Sequence, residues 1–161
     1  MGEELDKDLP PCDIKIDKDG VWYFRGAEMF RKDIIRILCQ NLKRDKSGRY
    51  IIEMRDEKCY LEVEDTPFVV TSVNRFVEES RGREEWQILL SDGSAELLDP
   101  ATLRMNNQNV MYCSVKGGNF EARFSRAGYY QLAEWIEYDN ENDTFFISQG
   151  NERYIIACNQ S

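Results

Sequence analysis

Two stretches of sequence decide the predicted fold: FRKDIIRILCQNL at residues 30–42 and FSRAGYYQLAEWI at residues 124–136. Apolar residues recur in both at spacings of three and four, which is the pattern of an amphipathic helix. We expect the first helix to end at about residue 42 and the second, capped by Ser125, at about residue 138. A polar break and two strand-like runs follow each helix, so each stretch begins a helix-plus-β-hairpin unit.

These two units indicate an internal duplication. Residues 30–63 align with residues 124–157 without a gap, and the polar breaks, the strand runs and several apolar helix positions coincide. Identity between the copies is low, so the alternative is that two helix-hairpin units match by chance. Under the duplication, each copy is too small to bury a core alone, and the two are expected to pack against each other.

The whole sequence predicts an α+β fold in two small lobes with mostly antiparallel sheet. Short alternating runs separated by turn signals such as Asp19-Gly20 predict hairpins. We assign residues 1–12 to an N-terminal tail, 13–77 to an N-terminal α+β lobe, 78–85 to a charged linker and 86–161 to a C-terminal α+β lobe. The groove between two lobes is the default place for a ligand.

Composition excludes several classes of function. The chain has 161 residues, of which 42% are hydrophobic and 32% charged, as in globular proteins. Its net charge of -9 repels phosphate backbones, so no nucleic-acid polymer is expected as a partner, and an anionic ligand needs a local basic site. Histidine is absent, which removes the commonest general base and zinc ligand and argues against ordinary hydrolase mechanisms. Neither a membrane-spanning run nor a signal peptide is recognisable, so no membrane partner is expected.

The five cysteines predict free thiols. Their number is odd and they form no CxxC pair, which fits a reducing cytoplasm better than a disulfide framework. We interpret Cys39 and Cys59 as small core hydrophobes, because each shares a face with apolar neighbours. Cys158 is expected to be more accessible, and a redox-sensing thiol is an open hypothesis.

Basic residues near the start of both predicted helices are the first candidate for chemistry. Cations there oppose the helix dipole, whereas an anion bound to the free N–H groups would reverse the sign of their contribution. We therefore predict a phosphate or carboxylate site, with Tyr23 or Tyr130 stacking on the ligand. The predicted anion-binding residues are Arg25, Arg31, Arg123 and Arg126. The alternative is that these side chains are solvated or paired with carboxylates.

A second candidate is the acidic run at the end of one predicted strand. Glu62, Glu64 and Asp65 could bind Mg²⁺ or Ca²⁺, or act as general acid and base. Alternation places Glu62 and Glu64 on one strand face, so a solvated face, or pairing with arginines, is the alternative.

Several motifs resemble the bacterial family called domain of unknown function 1285 (DUF1285). The most specific is Val63-Glu64-Asp65-Thr66-Pro67-Phe68, and others are Trp22-Tyr23-Phe24-Arg25-Gly26, Gly48-Arg49-Tyr50, Glu121-Ala122-Arg123 and Tyr129-Tyr130-Gln131-Leu132. The resemblance covers roughly residues 12–157. It implies a two-lobed fold with internal duplication, a C-terminal lobe similar to a pleckstrin-homology domain, and a nucleotide-like ligand between the lobes with a role in signal transduction. The sequence departs from the family pattern at Ser148-Gln149-Gly150, where the family tends to have Ser-Gly-Gly.

Together these observations predict a cytoplasmic, non-enzymatic ligand-binding module for an anionic or nucleotide-like small molecule held between two lobes. Neither a cofactor nor a metal is expected. Two alternatives stay open: a protein–protein interaction module with a protein partner, and a metal-dependent enzyme that uses the carboxylate cluster.

Overall fold

Residues 9–158 are described by the computed structural model, and the chain divides between Thr66 and Pro67 into an N-terminal and a C-terminal unit. The predicted tail, residues 1–12, lies mostly outside the described residues. Its end differs from the prediction, because Pro11 and Cys12 already belong to the first strand. The described residues form mostly β-sheet, with two helices, and the sheets are mixed or antiparallel. This is the α+β character predicted from the sequence.

The N-terminal unit is a six-stranded sheet with one helix. Its strand order is β3-β2-β1-β6-β5-β4, and all neighbours are antiparallel except β1 and β6. The elements are β1 (Pro11–Ile16), β2 (Trp22–Phe24), β3 (Ala27–Glu28), α1 (Lys32–Gln40), β4 (Leu42–Arg44), β5 (Tyr50–Met54) and β6 (Glu57–Val63).

The predicted first hairpin is confirmed, and its turn is fixed by Asp17. The Asp17 carboxylate accepts hydrogen bonds from the backbone N–H groups of Asp19 (2.9 Å) and Val21 (3.0 Å). Gly20 has a φ of 84°, a conformation that glycine adopts without strain. The turn therefore orients β1 and β2 so that Ile16 and Trp22 pair and are both buried.

The C-terminal unit contains a seven-stranded sheet, a three-stranded sheet and one helix. The larger sheet has the order β16-β10-β11-β12-β7-β8-β9, and the smaller has β13-β14-β15. The elements are β7 (Phe68–Glu78), β8 (Arg83–Leu90), β9 (Ala95–Leu97), β10 (Arg104–Met105), β11 (Met111–Val115), β12 (Phe120–Phe124), α2 (Arg126–Ala133), β13 (Ile136–Asp139), β14 (Thr144–Gln149), β15 (Glu152–Ile155) and β16 (Ala157–Cys158), with a 3₁₀ turn at Pro100–Thr102.

Helix α2 lies directly on β7. A Cβ atom at Gly128 would be 2.8 Å from the Val70 carbonyl oxygen, closer than any side chain allows. Ser125 is the predicted N-cap, and its hydroxyl accepts a hydrogen bond from Gly128 N–H at 3.1 Å. Leu132 on the same helix is fully buried in the core with Trp86 and Phe68.

The predicted linker at residues 78–85 is instead the tip of a hairpin in the C-terminal unit. Strands β7 and β8 pair continuously up to Glu78 and Arg83, and the chain divides earlier, after Thr66. This two-stranded hairpin is half exposed and carries many charged residues. A stretch of that composition resembles a linker in the sequence. An ion pair between Arg75 and Glu84 joins its two strands.

Both predicted helices end earlier than expected, and for the same reason. Residues 42–44 form β4 and residues 136–139 form β13, so each helix is followed by three antiparallel strands where a two-stranded hairpin was predicted. Leu42 continues the apolar spacing of α1, but it is buried opposite Ile52 in the sheet. The shared order of elements does not test common origin, so the duplication and the likeness to a pleckstrin-homology domain stay predictions.

The prediction of five free thiols is wrong, because Cys12 and Cys59 form a disulfide. Strand β1 runs parallel to β6 with Pro11 opposite Tyr60, which brings together two cysteines 47 residues apart. Neither their spacing nor their apolar neighbours revealed this pairing. The other three cysteines keep their thiols: Cys39 and Cys113 are buried and Cys158 is exposed. Burial raises the pKa of the Cys113 thiol to about 12, which makes this thiol a poor nucleophile.

Within residues 9–158, neither helix is long and apolar enough to cross a bilayer.

Candidate functional site

A groove of about 600 Å³ lies on the outer face of the N-terminal sheet, over β2, β1 and β6. We call it the β1 groove. The strand register places Tyr23, Lys15 and Glu62 side by side on these three strands. Alternation along β1 and β6 directs Ile14, Ile16 and Leu61 into the core, which leaves the polar residues between them for this face.

Tyr23 is held by the first hairpin turn. Its hydroxyl donates a hydrogen bond to the second carboxylate oxygen of Asp17 at 3.1 Å. This hydrogen bond raises the pKa of the Tyr23 phenol above its usual value, so the phenol stays protonated. Asp17 thus positions both the turn and an aromatic ring.

Tyr60 is a second aromatic residue of the groove, and the sequence analysis missed it. The Arg49 guanidinium lies 5.6 Å from the centre of its ring, and Arg49 Nε donates to Asp45 at 2.9 Å. Asp45 in turn accepts from the hydroxyl of Ser47, and this bond, together with the bonds from Arg49, lowers its pKa to about 2. The alternation of Tyr60 with Glu62 along β6 was the available signal.

Arg25 borders the groove and is paired within it. Its Nε donates to the Asp13 carboxylate at 3.3 Å, its backbone N–H donates to the Asp13 carbonyl at 2.8 Å, and its guanidinium lies 5.0 Å from the Phe24 ring. Both Asp13 (φ 61°) and Arg25 (φ 51°) adopt left-handed backbone conformations. Such residues cost about 1 kcal/mol or more each and concentrate at binding sites.

Charge in the β1 groove is mainly negative. Four carboxylates line it against two cationic groups, Lys15 and Arg25. Asp13 engages Arg25, and Glu64 lies 4.0 Å from the Lys15 ammonium. The four carboxylates belong to Asp13, Asp17, Glu62 and Glu64. This arrangement favours ligand groups that donate N–H hydrogen bonds or carry positive charge, and it weakens the attraction of an anion.

The other predicted site residue of the N-terminal unit, Arg31, lies outside this groove. It occupies the N-cap position of α1, where it makes no side-chain cap. Its guanidinium donates two hydrogen bonds to the Asp33 carboxylate, at 3.1 and 2.8 Å. The pairing lowers the pKa of Asp33 and raises that of Arg31. This ion pair matches the alternative in which the basic residues pair with carboxylates.

The remaining three predicted residues belong to the C-terminal unit. Arg123 is half-buried in β12 opposite Tyr112, and Arg126 is exposed in the first turn of α2. Tyr130 is 61% exposed, with its ring 5.7 Å from that of Tyr129. The six predicted ligand-binding residues therefore divide equally between the units, and the structure brings only Tyr23 and Arg25 together in one groove.

The carboxylate run at Glu62, Glu64 and Asp65 does not form a metal site. Within residues 9–158, no three His, Cys, Asp or Glu side chains are arranged to hold a metal ion. Glu62 and Glu64 face the β1 groove as alternation predicted. The alternative of a metal-dependent enzyme built on these residues therefore has no geometric support.

Comparison with known proteins identifies the N-terminal unit. The model of the domain of unknown function DUF1285, N-terminal domain, matches residues 7–66. A solved DUF1285 family protein from Silicibacter pomeroyi DSS-3 has the same fold with a TM-score of 0.75 at 19% identity, covering 92% of this chain and 81% of that one. A second, from Shewanella baltica OS155, gives a TM-score of 0.62 at 17% identity, covering 77% and 91%.

No curated protein matches the chain. The two solved structures therefore show the fold alone, and the family model adds the sequence match in the first unit. The resemblance predicted from the sequence is confirmed to this extent: residues 7–66 match the DUF1285 N-terminal domain, and two solved structures with the same fold are DUF1285 family proteins.

Proposed function

We propose that the protein is a non-enzymatic ligand-binding module and that the β1 groove holds a small molecule with a planar, N–H-bearing ring. The observation that carries the proposal is the pair of positioned aromatic residues, Tyr23 and Tyr60, with four carboxylates between and around them. Rings stack on tyrosine, and carboxylates accept hydrogen bonds from ring N–H groups.

The strand register sets the length of this ligand. Tyr23 pairs with Lys15 and Lys15 with Glu62, and Tyr60 precedes Glu62 by two residues on β6. At about 3.3 Å per residue along a strand and about 4.8 Å between strands, the backbone positions of the two tyrosines are separated by roughly 12 Å. One ring therefore does not contact both tyrosines, and a ligand that uses both is elongated, as a nucleoside with a substituent is.

The proposal has two versions, which differ in the charge of the ligand. The excess of carboxylates favours a neutral or cationic ligand such as a nucleoside. Lys15 and Arg25 are the groups that would hold a phosphate, so the anionic or nucleotide-like ligand predicted from the sequence is the competing version. In both versions Tyr23 and Arg25 keep their predicted roles as a stacking and a polar contact.

Titration calorimetry with a matched pair of probes separates these versions. Adenosine and adenosine monophosphate differ by one phosphate group, so the ratio of their dissociation constants isolates its effect. We expect adenosine to bind more tightly, and Glu62→Gln to improve the monophosphate about two- to five-fold, the usual scale of one exposed charge pair. Glu57→Gln, on the same strand but outside the β1 groove, is the control.

If adenosine monophosphate binds more tightly than adenosine, the version with an anionic ligand is favoured. Absence of binding by both probes at millimolar concentration, in the titration and as a shift of the thermal unfolding midpoint, would overturn the proposal, because a ligand at 100 times its dissociation constant stabilises a protein by about 2.7 kcal/mol.

The internal duplication, the likeness of the C-terminal unit to a pleckstrin-homology domain, a signalling role and a cytoplasmic location belong to this proposal. The duplication has one further support. Asp45 and the aligned Asp139 both accept backbone N–H bonds in the turn after the first strand that follows each helix. Hydrogen bonds lower the pKa of the carboxyl in both copies. The largest contribution comes from the Ser47 side chain at Asp45 and from the Asn142 side chain at Asp139.

A second candidate function, a protein-interaction module, is favoured by exposed apolar residues on α1 and just before it. Ile34 and Ile37 share one side of the helix and are 39% and 47% exposed, and Phe30, which precedes the N-cap, is 78% exposed. Residues 25–55 contain nine Lys or Arg against four Asp or Glu, although the chain as a whole has a net charge of -9. An acidic protein surface with an apolar centre is the partner that complements this region.

Photo-crosslinking tests that candidate. A crosslinking residue at position 30 should yield discrete adducts, and the charge reversals Lys32→Glu and Arg36→Glu should abolish them. Position 76, an exposed apolar site in the C-terminal unit, is the control. Adducts that persist after charge reversal, or that have the mass of a second copy of the chain, would count against an acidic partner.

A further inference from the structure

The C-terminal unit contains a cavity that the proposed function does not use. It has a volume of about 260 Å³ and lies between α2, the three-stranded sheet and the edge of the seven-stranded sheet. We call it the α2 cavity. Tyr129 and Ala133 line it from the helix, Phe145 from β14, and Met105 and Met111 from the larger sheet.

The lining of the α2 cavity is mainly apolar. Its polar side chains are those of Asn109, Tyr129 and Cys158, and among the described residues neither a carboxylate nor a cationic side chain lines it. A charged ligand group would therefore lose its hydration there without a charged partner to replace it.

Size indicates what fits. An apolar cavity of about 150 Å³ in another protein stays dry and binds benzene. The α2 cavity is larger, yet too small for a helix or strand of a partner protein. An occupant of about six to twelve non-hydrogen atoms matches it on that scale.

The surroundings keep the cavity open and accessible. Met111, which lines the cavity, is buried in β11, and β11 pairs with β10 on one side and β12 on the other. Phe145 is 45% exposed and Cys158 is exposed, so one side of the cavity reaches the surface. Methionine side chains adapt to ligands of different shape because they are unbranched and polarisable.

We propose that the α2 cavity is a second binding site, which takes a small uncharged apolar molecule such as a single aromatic ring or a short branched hydrocarbon chain. The site is independent of the β1 groove in its residues, its unit and its ligand chemistry. Its failure would leave the nucleoside proposal unchanged, and the reverse also holds.

Toluene and benzoate are the probes, since they share a ring and differ in charge. The methyl groups of the methionines report binding in the intact chain by NMR. Toluene should shift the signals of Met105 and Met111 with saturable dependence on concentration, whereas those of Met29 and Met54, in the N-terminal unit, should stay unchanged. Benzoate should bind at least ten-fold more weakly.

A cavity-filling variant provides the second test. Ala133→Leu places three more carbons in the α2 cavity and should reduce toluene binding at least ten-fold, whereas Ala127→Leu, on the exposed side of the same helix, should leave it unchanged. Equal shifts at all four methionines, no saturable shift at Met105 and Met111, or benzoate binding as tightly as toluene would each overturn the proposal. The wild-type spectra decide this even where Ala133→Leu does not fold.

Discussion

The two helices have similar sequence patterns but different surroundings. In α1 the apolar residues Ile34 and Ile37 are exposed, as is Phe30 just before the helix, and Cys39 is buried. In α2, Leu132 is fully buried and Gly128 contacts the backbone of β7. Apolar spacing therefore identifies which face of a helix is hydrophobic, but a small residue at the point of closest approach decides whether that face packs against a strand.

The largest expected effect comes from exchanging that residue. Position 128 of α2 aligns with position 34 of α1. The variants Gly128→Ile and Ile34→Gly therefore give each helix the residue that the other has at this position. Gly128→Ile forces a side chain against the Val70 carbonyl and should cost about 4 kcal/mol of unfolding free energy, measured by urea denaturation. Ile34→Gly should cost only about 1 kcal/mol through helix propensity.

Similar losses in the two variants would show that Gly128 is not the determinant of packing. Hydrogen exchange of backbone amides locates each loss, because Gly128→Ile should lower protection in the C-terminal unit and Ile34→Gly in the N-terminal unit.

The second effect concerns the aligned leucines, Leu132 and Leu38. Leu132→Ala removes a fully buried side chain and should cost about 3 kcal/mol, whereas half-buried Leu38→Ala should cost about 1 kcal/mol. Urea denaturation of each variant measures the difference. If Leu38→Ala costs as much as Leu132→Ala, then α1 is packed as tightly as α2 and the comparison fails.

The third effect concerns the helix starts. Ser125 caps α2, and the aligned Arg31 occupies the N-cap of α1 without a side-chain cap. Ser125→Ala should cost about 1 kcal/mol, and Arg31→Ser should gain up to about 0.5 kcal/mol, since a hydroxyl cap outweighs an exposed ion pair. Thermal denaturation detects both the loss and the gain of stability. If Arg31→Ser lowers the stability, the pairing of Arg31 with Asp33 contributes more than the cap would.

The smallest effect is a pH dependence that arises in the turn at Asp45. The pKa of Asp45 in the folded chain, about 2, lies below its usual value, so its contribution to stability is complete above about pH 4 and is lost as the pH falls towards 2. Asp139 has a pKa lowered in the same direction. Asp45→Asn should flatten the loss of urea resistance between about pH 4 and pH 2. An unchanged profile would contradict this assignment.

Local features were predictable from sequence, and long-range ones were not. The β1–β2 hairpin and the Ser125 cap follow from turn residues and capping, which act over a few positions. The parallel pairing of β1 with β6, the disulfide, and the division at Thr66 depend on residues far apart in the chain. No spacing in a single sequence encodes such partners.

The candidate site was partly predictable for the same reason. Tyr23 and Arg25 were identified because they lie near a helix start in sequence, yet their groove is made by β6, which contributes Tyr60 and Glu62 from about 40 residues later. The prediction of an anion site considered the basic residues without their partners, and Asp13 and Asp33 pair with two of them.

The bond between Cys12 and Cys59 makes the N-terminal unit a covalent ring. It joins the first strand of the unit to its last, so a single proteolytic cut in any loop between them leaves both pieces attached. A cut in the turn at residues 45–48 would interrupt the chain between β4 and β5, yet it would leave every strand pairing of the sheet in place.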